Sequence, residues 1–107
     1  MAKQPRQGKD DAILKAAIGR RLRALRDFFG LSQDEFAEKI GLKRITYAKY
    51  ESGERYPSPL KMIKLCEVFM VDFNWIFTND DSCFKGDRRE SIRRLLEAQN
   101  RRTEAQK

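Results

Sequence analysis

Residues 31–53 have the sequence LSQDEFAEKIGLKRITYAKYESG, and this stretch decides the fold. Ser32 and Glu35 have the spacing of a capping box, in which the serine side chain satisfies an orphan backbone N–H and the glutamate reaches back. A short apolar helix pattern follows and stops at Gly41, which takes a left-handed conformation at no steric cost. A further helix is expected over 43–52. The stretch therefore predicts a helix, a tight glycine turn and a second helix.

Side-chain size supports a close crossing of these two helices. Ala37 is small at the point where they would meet, and a larger side chain there would push them apart. A bihelical unit of this kind can present its second helix to the DNA major groove, which is wide enough to admit one. The cations Lys43, Arg44 and Lys49 then have two interpretations, a solvated basic face or a DNA-contacting one.

Upstream of this unit, one long amphipathic helix is expected from about Asp11 to Phe29, followed by Gly30 as its end. The apolar residues that recur at spacings of three and four are Leu14, Ile18, Leu22, Leu25 and Phe29. This pattern predicts a helix that packs one face against the core.

Downstream, two more helices are expected. Ser58 is a natural N-cap followed by Pro59 at the first helical position, and Asp72 can cap a short fifth helix. The inner face of the fourth helix has Met62, Leu65, Cys66 and Phe69. The fifth contains Phe73, Trp75, Ile76 and Phe77. No segment shows the alternation of a strand, so the sequence predicts an all-α domain of five helices.

Composition restricts the function classes. The chain has 107 residues and a net charge of +7, which favours a polyanionic partner such as nucleic acid or an anionic membrane surface. It has no histidine, its two cysteines form no CxxC pair, and no apolar run reaches the roughly 20 residues of a membrane span. We therefore expect no catalytic site, no metal, no cofactor and a cytoplasmic location.

Charge and apolar content divide the chain into three parts. We expect a flexible N-terminal arm over 1–11, the helical domain over 12–83, and a basic C-terminal helix or tail over 84–107, with eight basic and four acidic residues. The last part has one apolar stripe, Ile92, Leu95 and Leu96. It could be a frayed extension, a dimerisation helix, or a basic arm that adds non-specific DNA affinity.

Several segments in order resemble the Cro/repressor-type helix-turn-helix family of phage and bacterial regulators. The likeness runs from about Ile18 to Thr78. It includes Arg-Leu-Arg-Ala-Leu-Arg in the first helix, Leu-Ser-Gln-x-Glu-Phe-Ala, Glu-Ser-Gly, the Arg-x-Pro-Ser loop and Val-Asp-Phe-Asn-Trp-Ile. The resemblance implies a five-helix, lambda-repressor-like domain whose third helix contacts bases.

The resemblance also implies roles for individual residues. The base-contacting positions are Lys43, Arg44, Ile45 and Lys49. Arg44 or Lys49 would donate to guanine, and Ile45 would meet a thymine methyl group. The candidate phosphate contacts are Gln33, Thr46, Arg55, Tyr56 and Lys61. Phosphate contacts of this kind set affinity and register rather than sequence choice. Tyr47 and Tyr50 could stack on bases, but the resemblance implies that their positions are in the core, which is the interpretation we favour.

Two further expectations concern structure and assembly. Arg26 and Glu51 occupy positions that often form a buried ion pair in this family. The fifth helix has more apolar side chains than one packed side of a short helix can bury. Either all of them pack into the domain, or Trp75 and Phe77 contribute to a two-fold interface. We favour a homodimer that binds half-sites about 34 Å apart.

Two residues depart from the family pattern. Lys43 stands where the family usually has a Ser or Thr cap, and a cation there opposes the helix dipole. We interpret Lys43 as a residue retained at this position because it contacts DNA. Met70 stands where a glycine commonly ends the fourth helix, so either that helix is longer here or Met70 is strained.

Three functions are compared on these grounds. The first is a sequence-specific regulator, a repressor of phage, prophage or mobile-element genes that binds a palindromic operator as a dimer. The second is a DNA-binding antitoxin or controller protein whose tail, residues 87–107, binds a partner protein. The third is an enzyme, which has no support from histidines, glycine-rich phosphate loops or metal-ligand spacings.

Overall fold

The computed structural model describes the backbone of residues 6–105 and the side chains of residues 8–102. This part of the chain forms six α-helices and no strand, which confirms the all-α prediction. The helices are α1 (Arg6–Phe29), α2 (Gln33–Lys39), α3 (Arg44–Ser52), α4 (Pro59–Phe69), α5 (Phe73–Thr78) and α6 (Asp87–Ala105), with a 3-10 turn at Asp81–Cys83. None of the helices described is both long enough and apolar enough to cross a bilayer.

The first helix starts earlier than the apolar pattern predicted. It begins at Arg6 instead of near Asp11, so the residues from Arg6 to Asp11 that we assigned to a flexible arm are helical. Residues 1–5 of that arm lie outside the described residues. The apolar pattern did not predict these turns because their residues carry no apolar side chain and, over 8–11, are exposed.

The core lies where α1, α2, α3 and α4 meet. Ile18, Leu22 and Leu25 of α1 are fully buried there, as the helical spacing predicted. Phe36 of α2 stacks on Phe69 of α4 with ring centroids 4.3 Å apart. Burying apolar side chains of this size contributes about 1.5–3 kcal/mol each, so this cluster holds α2 and α3 in a fixed relation to α1.

Gly19 allows α1 to lie unusually close to the end of α3. A Cβ atom added at this glycine would collide with the backbone carbonyl oxygen of Glu51. Gly53, directly after α3, has a φ of 81° and approaches the backbone of Ala16. A glycine inside a helix costs about 0.5–1 kcal/mol relative to alanine. That cost is offset here because the close approach seals the core behind α3.

The C-terminal helix α6 packs against α1 and α5 instead of standing free. Ile92 of α6 and Phe84, just before it, are buried in the same core as the other helices. Trp75 meets Phe84 edge to face with ring centroids 5.0 Å apart and is fully buried. The expectation that Trp75 stays exposed for a dimer interface is therefore wrong, because the chain's own C-terminal segment covers it. Phe77 remains half-buried.

Polar contacts also join α6 and α5 to α1. Arg20 Nε donates to Asn100 Oδ1 at 2.8 Å, and Gln99 Nε2 donates to Asp27 Oδ2 at 3.2 Å. Gln99 is buried although it is polar, at 5% exposure. Arg21 Nη1 donates to the carbonyl oxygen of Ile76 at 2.7 Å, near the end of α5. These bonds fix the register of α6 along α1.

Of the two alternatives for the end of the fourth helix, the structure has the strained Met70 and not the longer helix. The helix ends at Phe69, and Met70 follows in the left-handed region with φ 59° and ψ 47°. Its side chain is 71% exposed, so no packing offsets the strain. A non-glycine residue in this conformation costs roughly 1–2 kcal/mol.

Candidate nucleic-acid interface

The helix α2 is firmly anchored at its start. Glu35 N–H donates to Ser32 Oγ at 3.1 Å, and Ser32 N–H donates to Glu35 Oε1 at 2.8 Å, which completes the expected capping box. The hydrogen bond from the Ser32 backbone N–H, together with the Ser32 side chain, lowers the pKa of the Glu35 carboxyl below its usual value. Gly41 then turns the chain with a φ of 73°. The turn delivers α3 across α2 at a defined angle.

The inner face of α3 is buried. Tyr47 has no exposed surface, and its ring lies 4.9 Å from that of Phe36. Burial, with the carboxylate of Glu51 nearby, raises the pKa of the Tyr47 phenol far above its usual value. The Tyr50 hydroxyl accepts a hydrogen bond from the backbone N–H of Ser58 at 3.4 Å. Both tyrosines belong to the core rather than to a base-stacking surface, as expected.

A network of charged and polar side chains ties the end of α3 to α1 and α2. Arg26 Nε donates to Glu51 Oε2 at 2.6 Å, and Arg26 Nη2 donates to Glu51 Oε1 at 3.1 Å. The two side chains are 14% and 6% exposed. Gln33 Nε2 adds a third bond to Glu51 Oε1 at 3.1 Å. Two-point contact of this geometry fixes the rotation of α3 about its own axis.

The outer face of α3 presents the four expected base-contacting residues to solvent. Ile45 is 65% exposed, and Lys43 and Lys49 are exposed beside it. Lys43 is the N-cap of α3, and its side chain makes no capping hydrogen bond. This face therefore combines one apolar contact with several cations, a combination that matches the thymine methyl group and the acceptor atoms of guanine.

Arg44 is the one member of this group that has a charged partner within the described side chains. Its Nε lies 3.6 Å from Asp34 Oδ1, and both side chains are more than half exposed. An exposed pair at this distance contributes little to stability, typically less than about 1 kcal/mol. The guanidinium is thus held near α2 but is free to exchange Asp34 for a stronger partner.

The candidate phosphate contacts divide into two groups. Arg55 is exposed, Thr46 is half-buried beside the outer face of α3, and Gln33 is half-buried and already bonded to Glu51. The other two are engaged elsewhere. Tyr56 donates its hydroxyl proton to Asp11 Oδ1 at 2.9 Å, and Lys61 Nζ donates to the carbonyl oxygen of Gly41 at 3.0 Å.

Those last two contacts have a structural effect of their own. Tyr56 joins the loop after α3 to the start of α1, and Lys15 Nζ lies 5.6 Å from the centre of its ring. Desolvation and the bond to Asp11 raise the pKa of the Tyr56 phenol. Lys61 fastens the turn between α2 and α3 to α4. Tyr56 thus braces the loop after α3 and Lys61 the turn before it, and their roles as phosphate contacts stay predictions.

The sequence did not reveal every residue near this surface. Gly19, which lets α1 approach α3, looked like an ordinary position in an amphipathic helix. Arg23 and Arg102 lie on different helices beside the end of α3, and no local pattern connects them. Among the described side chains no group of three or more Cys, Asp or Glu residues could hold a metal ion.

Comparison with known proteins gives a consistent family. A family model described as a helix-turn-helix domain matches residues 19–82, more than half of the chain. The chain is 35% identical over 57 residues to an uncharacterized HTH-type transcriptional regulator, YgzD, of Bacillus subtilis, which covers 53% of this chain and 86% of that protein. No solved structure gives a significant match to the chain.

Two further relatives carry the same kind of name. An uncharacterized HTH-type transcriptional regulator of Archaeoglobus fulgidus is 34% identical over 61 residues, covering 57% of this chain and 87% of that protein. The uncharacterized HTH-type transcriptional regulator YobD of Bacillus subtilis is 30% identical over 77 residues, covering 72% and 69%.

Proposed function

The chain belongs to the helix-turn-helix domain family, and from this premise we propose that it is a sequence-specific repressor that binds a palindromic operator in double-stranded DNA as a homodimer. Family membership makes it a helix-turn-helix transcription regulator and not an enzyme. The proposal goes further, to repression of phage, prophage or mobile-element genes. Repression requires only that a bound protein occupies a promoter.

One observation carries the proposal. The outer face of α3 leaves Ile45 and three cations in solvent, while every aromatic side chain of the same helix is buried. An exposed apolar side chain flanked by cations suits a partner that offers an apolar group beside hydrogen-bond-accepting atoms. The major groove, about 12 Å wide, admits one helix and offers both an apolar methyl group and hydrogen-bond acceptors.

Roles follow from position along α3. Arg44, at its first turn, reaches bases most directly because the N-terminal residues of a recognition helix contact base edges. Lys43 and Lys49 lie on either side of Ile45 along the chain and would donate to bases or to nearby phosphates. Arg55, an exposed residue among the candidate phosphate contacts, would add affinity without sequence preference.

The dimer proposal needs a revised interface. With Trp75 buried, the apolar surface left on α5 consists of Phe73, which is 38% exposed, and the half-buried Phe77, with ring centroids 5.6 Å apart. Exposed Met70 lies close by in sequence. A second copy on this surface would set two α3 helices against half-sites one helical turn apart, about 34 Å.

The test is selection of bound duplexes from a random pool, combined with the solution mass of the free protein. We expect enrichment of a palindrome of about 14–20 base pairs and a mass of two chains. Arg44→Ala should lose the preference at one base position, whereas Arg94→Ala, on α6, should leave the selected sequence unchanged. Failure to enrich any sequence at moderate salt would overturn the proposal.

The alternative, an antitoxin or controller protein with a partner on residues 87–107, gains no support from the geometry. Ile92 and Gln99 of α6 face α1 and are already buried within the chain. A partner protein would have to use the charged outer side of α6 or displace the helix. Protease resistance of the tail that increases only with a co-purified protein would favour this alternative.

A further inference from the structure

A cleft lies at the C-terminal end of α3, between α1 and α6. It has a volume of about 280 Å³ and is lined by three arginines, Arg20 and Arg23 from α1 and Arg102 from α6. Ser52, the last residue of α3, and the buried Gln99 complete the polar part of its wall. Positions so far apart in sequence meet here only because α6 packs on α1.

The cleft is strongly positive. Glu51 is the acidic side chain in its lining, and Arg26 and Gln33 already satisfy the carboxylate of Glu51. Arg20 uses its Nε on Asn100, while Arg23 and Arg102 form no ion pair with any described side chain. Guanidinium groups that line one cleft match the oxygens of a phosphate, which they bind with charge-assisted hydrogen bonds.

The position of the cleft at the end of α3 indicates which phosphate of a bound duplex it would contact. Ser52 is seven residues after Ile45 and three after Lys49, so these side chains share one face of the helix. Seven residues advance the helix by about 10 Å, close to the roughly 12 Å width of the major groove. Because the start of a recognition helix meets the bases, its end rises towards the strand that borders the groove.

We propose that this cleft binds a phosphate group of the DNA backbone, so that α6 takes part in DNA binding through Arg102. The inference rests on the proposed DNA-binding function and extends it beyond the helix-turn-helix unit. It gives the docked C-terminal helix a role: α6 brings a third cation to a site that α1 and α3 leave incomplete.

The test measures DNA affinity as a function of salt for the full chain on one duplex of about 20 base pairs. Each cleft that loses its phosphate contact reduces the slope of log K against log salt by about 0.9. At about 0.1 M salt this loss corresponds to roughly eightfold weaker binding for each cleft. We expect this change for Arg23→Gln and for Arg102→Gln, with unchanged preference between sequences.

Arg94→Gln is the matched control. It removes the same charge from α6, about two turns from Arg102, where Arg94 Nη2 donates to Glu90 Oε1 at 2.9 Å. Its slope should equal that of the unaltered chain, and all variants should unfold at the same temperature. Equal slopes for all three variants and the unaltered chain would overturn the inference while leaving the proposed function intact. Equal losses in all three, control included, would reduce it to general charge attraction and also overturn it.

Two other outcomes separate the inference from its premise. If the unaltered chain binds no duplex, the proposed function fails and the inference with it. Titration with inorganic phosphate tests a free phosphorylated ligand as the occupant. Saturable phosphate binding that Arg23→Gln abolishes, without any change in the DNA salt slope, would assign the cleft to such a ligand and overturn the DNA contact.

Discussion

On its inner face α3 buries two tyrosines and ties Glu51 to Arg26 and Gln33, whereas on its outer face Ile45 and the neighbouring cations lie in solvent. The inner face satisfies each physical rule for stability: apolar surface is covered and the buried charge is paired. The outer face departs from them at the start of the helix, where the N-cap is a lysine that makes no capping hydrogen bond, and it leaves one large apolar side chain in solvent. One short helix therefore has a face that stabilises the fold and an opposite face that is available to a ligand.

The largest expected effect is on the inner face. Glu51→Ala leaves Arg26 without its carboxylate and Gln33 without its acceptor. We expect the free energy of unfolding to fall by about 3 kcal/mol, the lower end for a buried pair because Arg26 is partly exposed. Urea unfolding measures it, and exposed Glu54→Ala, three residues away, should change it by less than about 0.5 kcal/mol. A loss below about 1 kcal/mol would mean that the two faces differ less than we infer.

On the outer face the expected effect shifts from stability to recognition. Arg44→Ala should change the free energy of unfolding by less than about 0.5 kcal/mol, because Arg44 is exposed and so is its ion-pair partner Asp34. It should lower discrimination between the best operator and a single-base variant by about 1–3 kcal/mol. Competition binding measures this loss. Arg55→Ala should weaken all sequences alike, and equal behaviour of the two variants would contradict the assignment of Arg44 to bases.

Met70 is useful for comparison because it also has an unfavourable local conformation, a left-handed backbone, but lies away from α3. Met70→Gly removes the cost of a left-handed backbone and should raise the free energy of unfolding by between about 1 and 2 kcal/mol. Thermal or urea unfolding measures the gain, and Met70→Ala, which keeps a Cβ atom, should not reproduce it. DNA affinity per dimer should stay unchanged at protein concentrations where the dimer is complete.

The smallest effect concerns the start of α3. Lys43→Ser supplies the missing cap and removes a cation from the positive end of the helix, so stability should rise by about 1 kcal/mol. DNA affinity should fall at the same time, as measured by titration of the selected operator. Higher stability with unaltered DNA binding would show that the poor cap has no role in DNA binding.

The sequence predicted the central part of this arrangement for local reasons. The capping box of Ser32 and Glu35 and the turn at Gly41 depend on hydrogen bonds and dihedral preferences within a few residues. The tyrosines of α3 were assigned to the core from the resemblance, and their burial agrees. The start of α1 was missed because its first turns are polar and show no periodicity.

Contacts between distant segments were beyond local patterns. Trp75 looked like an interface residue because α5 alone cannot cover it, and only the packing of Phe84 and α6 buries it. In the same way, no sequence signal connects Arg102 with Arg23 or indicates that Gly19 meets the backbone of Glu51.

The amino-acid sequence by itself determined the all-α class, the capped helices of the central region, the family resemblance and which residues of α3 carry charge, because these depend on nearest neighbours along the chain. Only the tertiary structure decided which face of each helix remains in solvent. Burial is settled by segments that meet in space, and the packing of α6 on α1 covered one expected interface while assembling three arginines beside the end of α3.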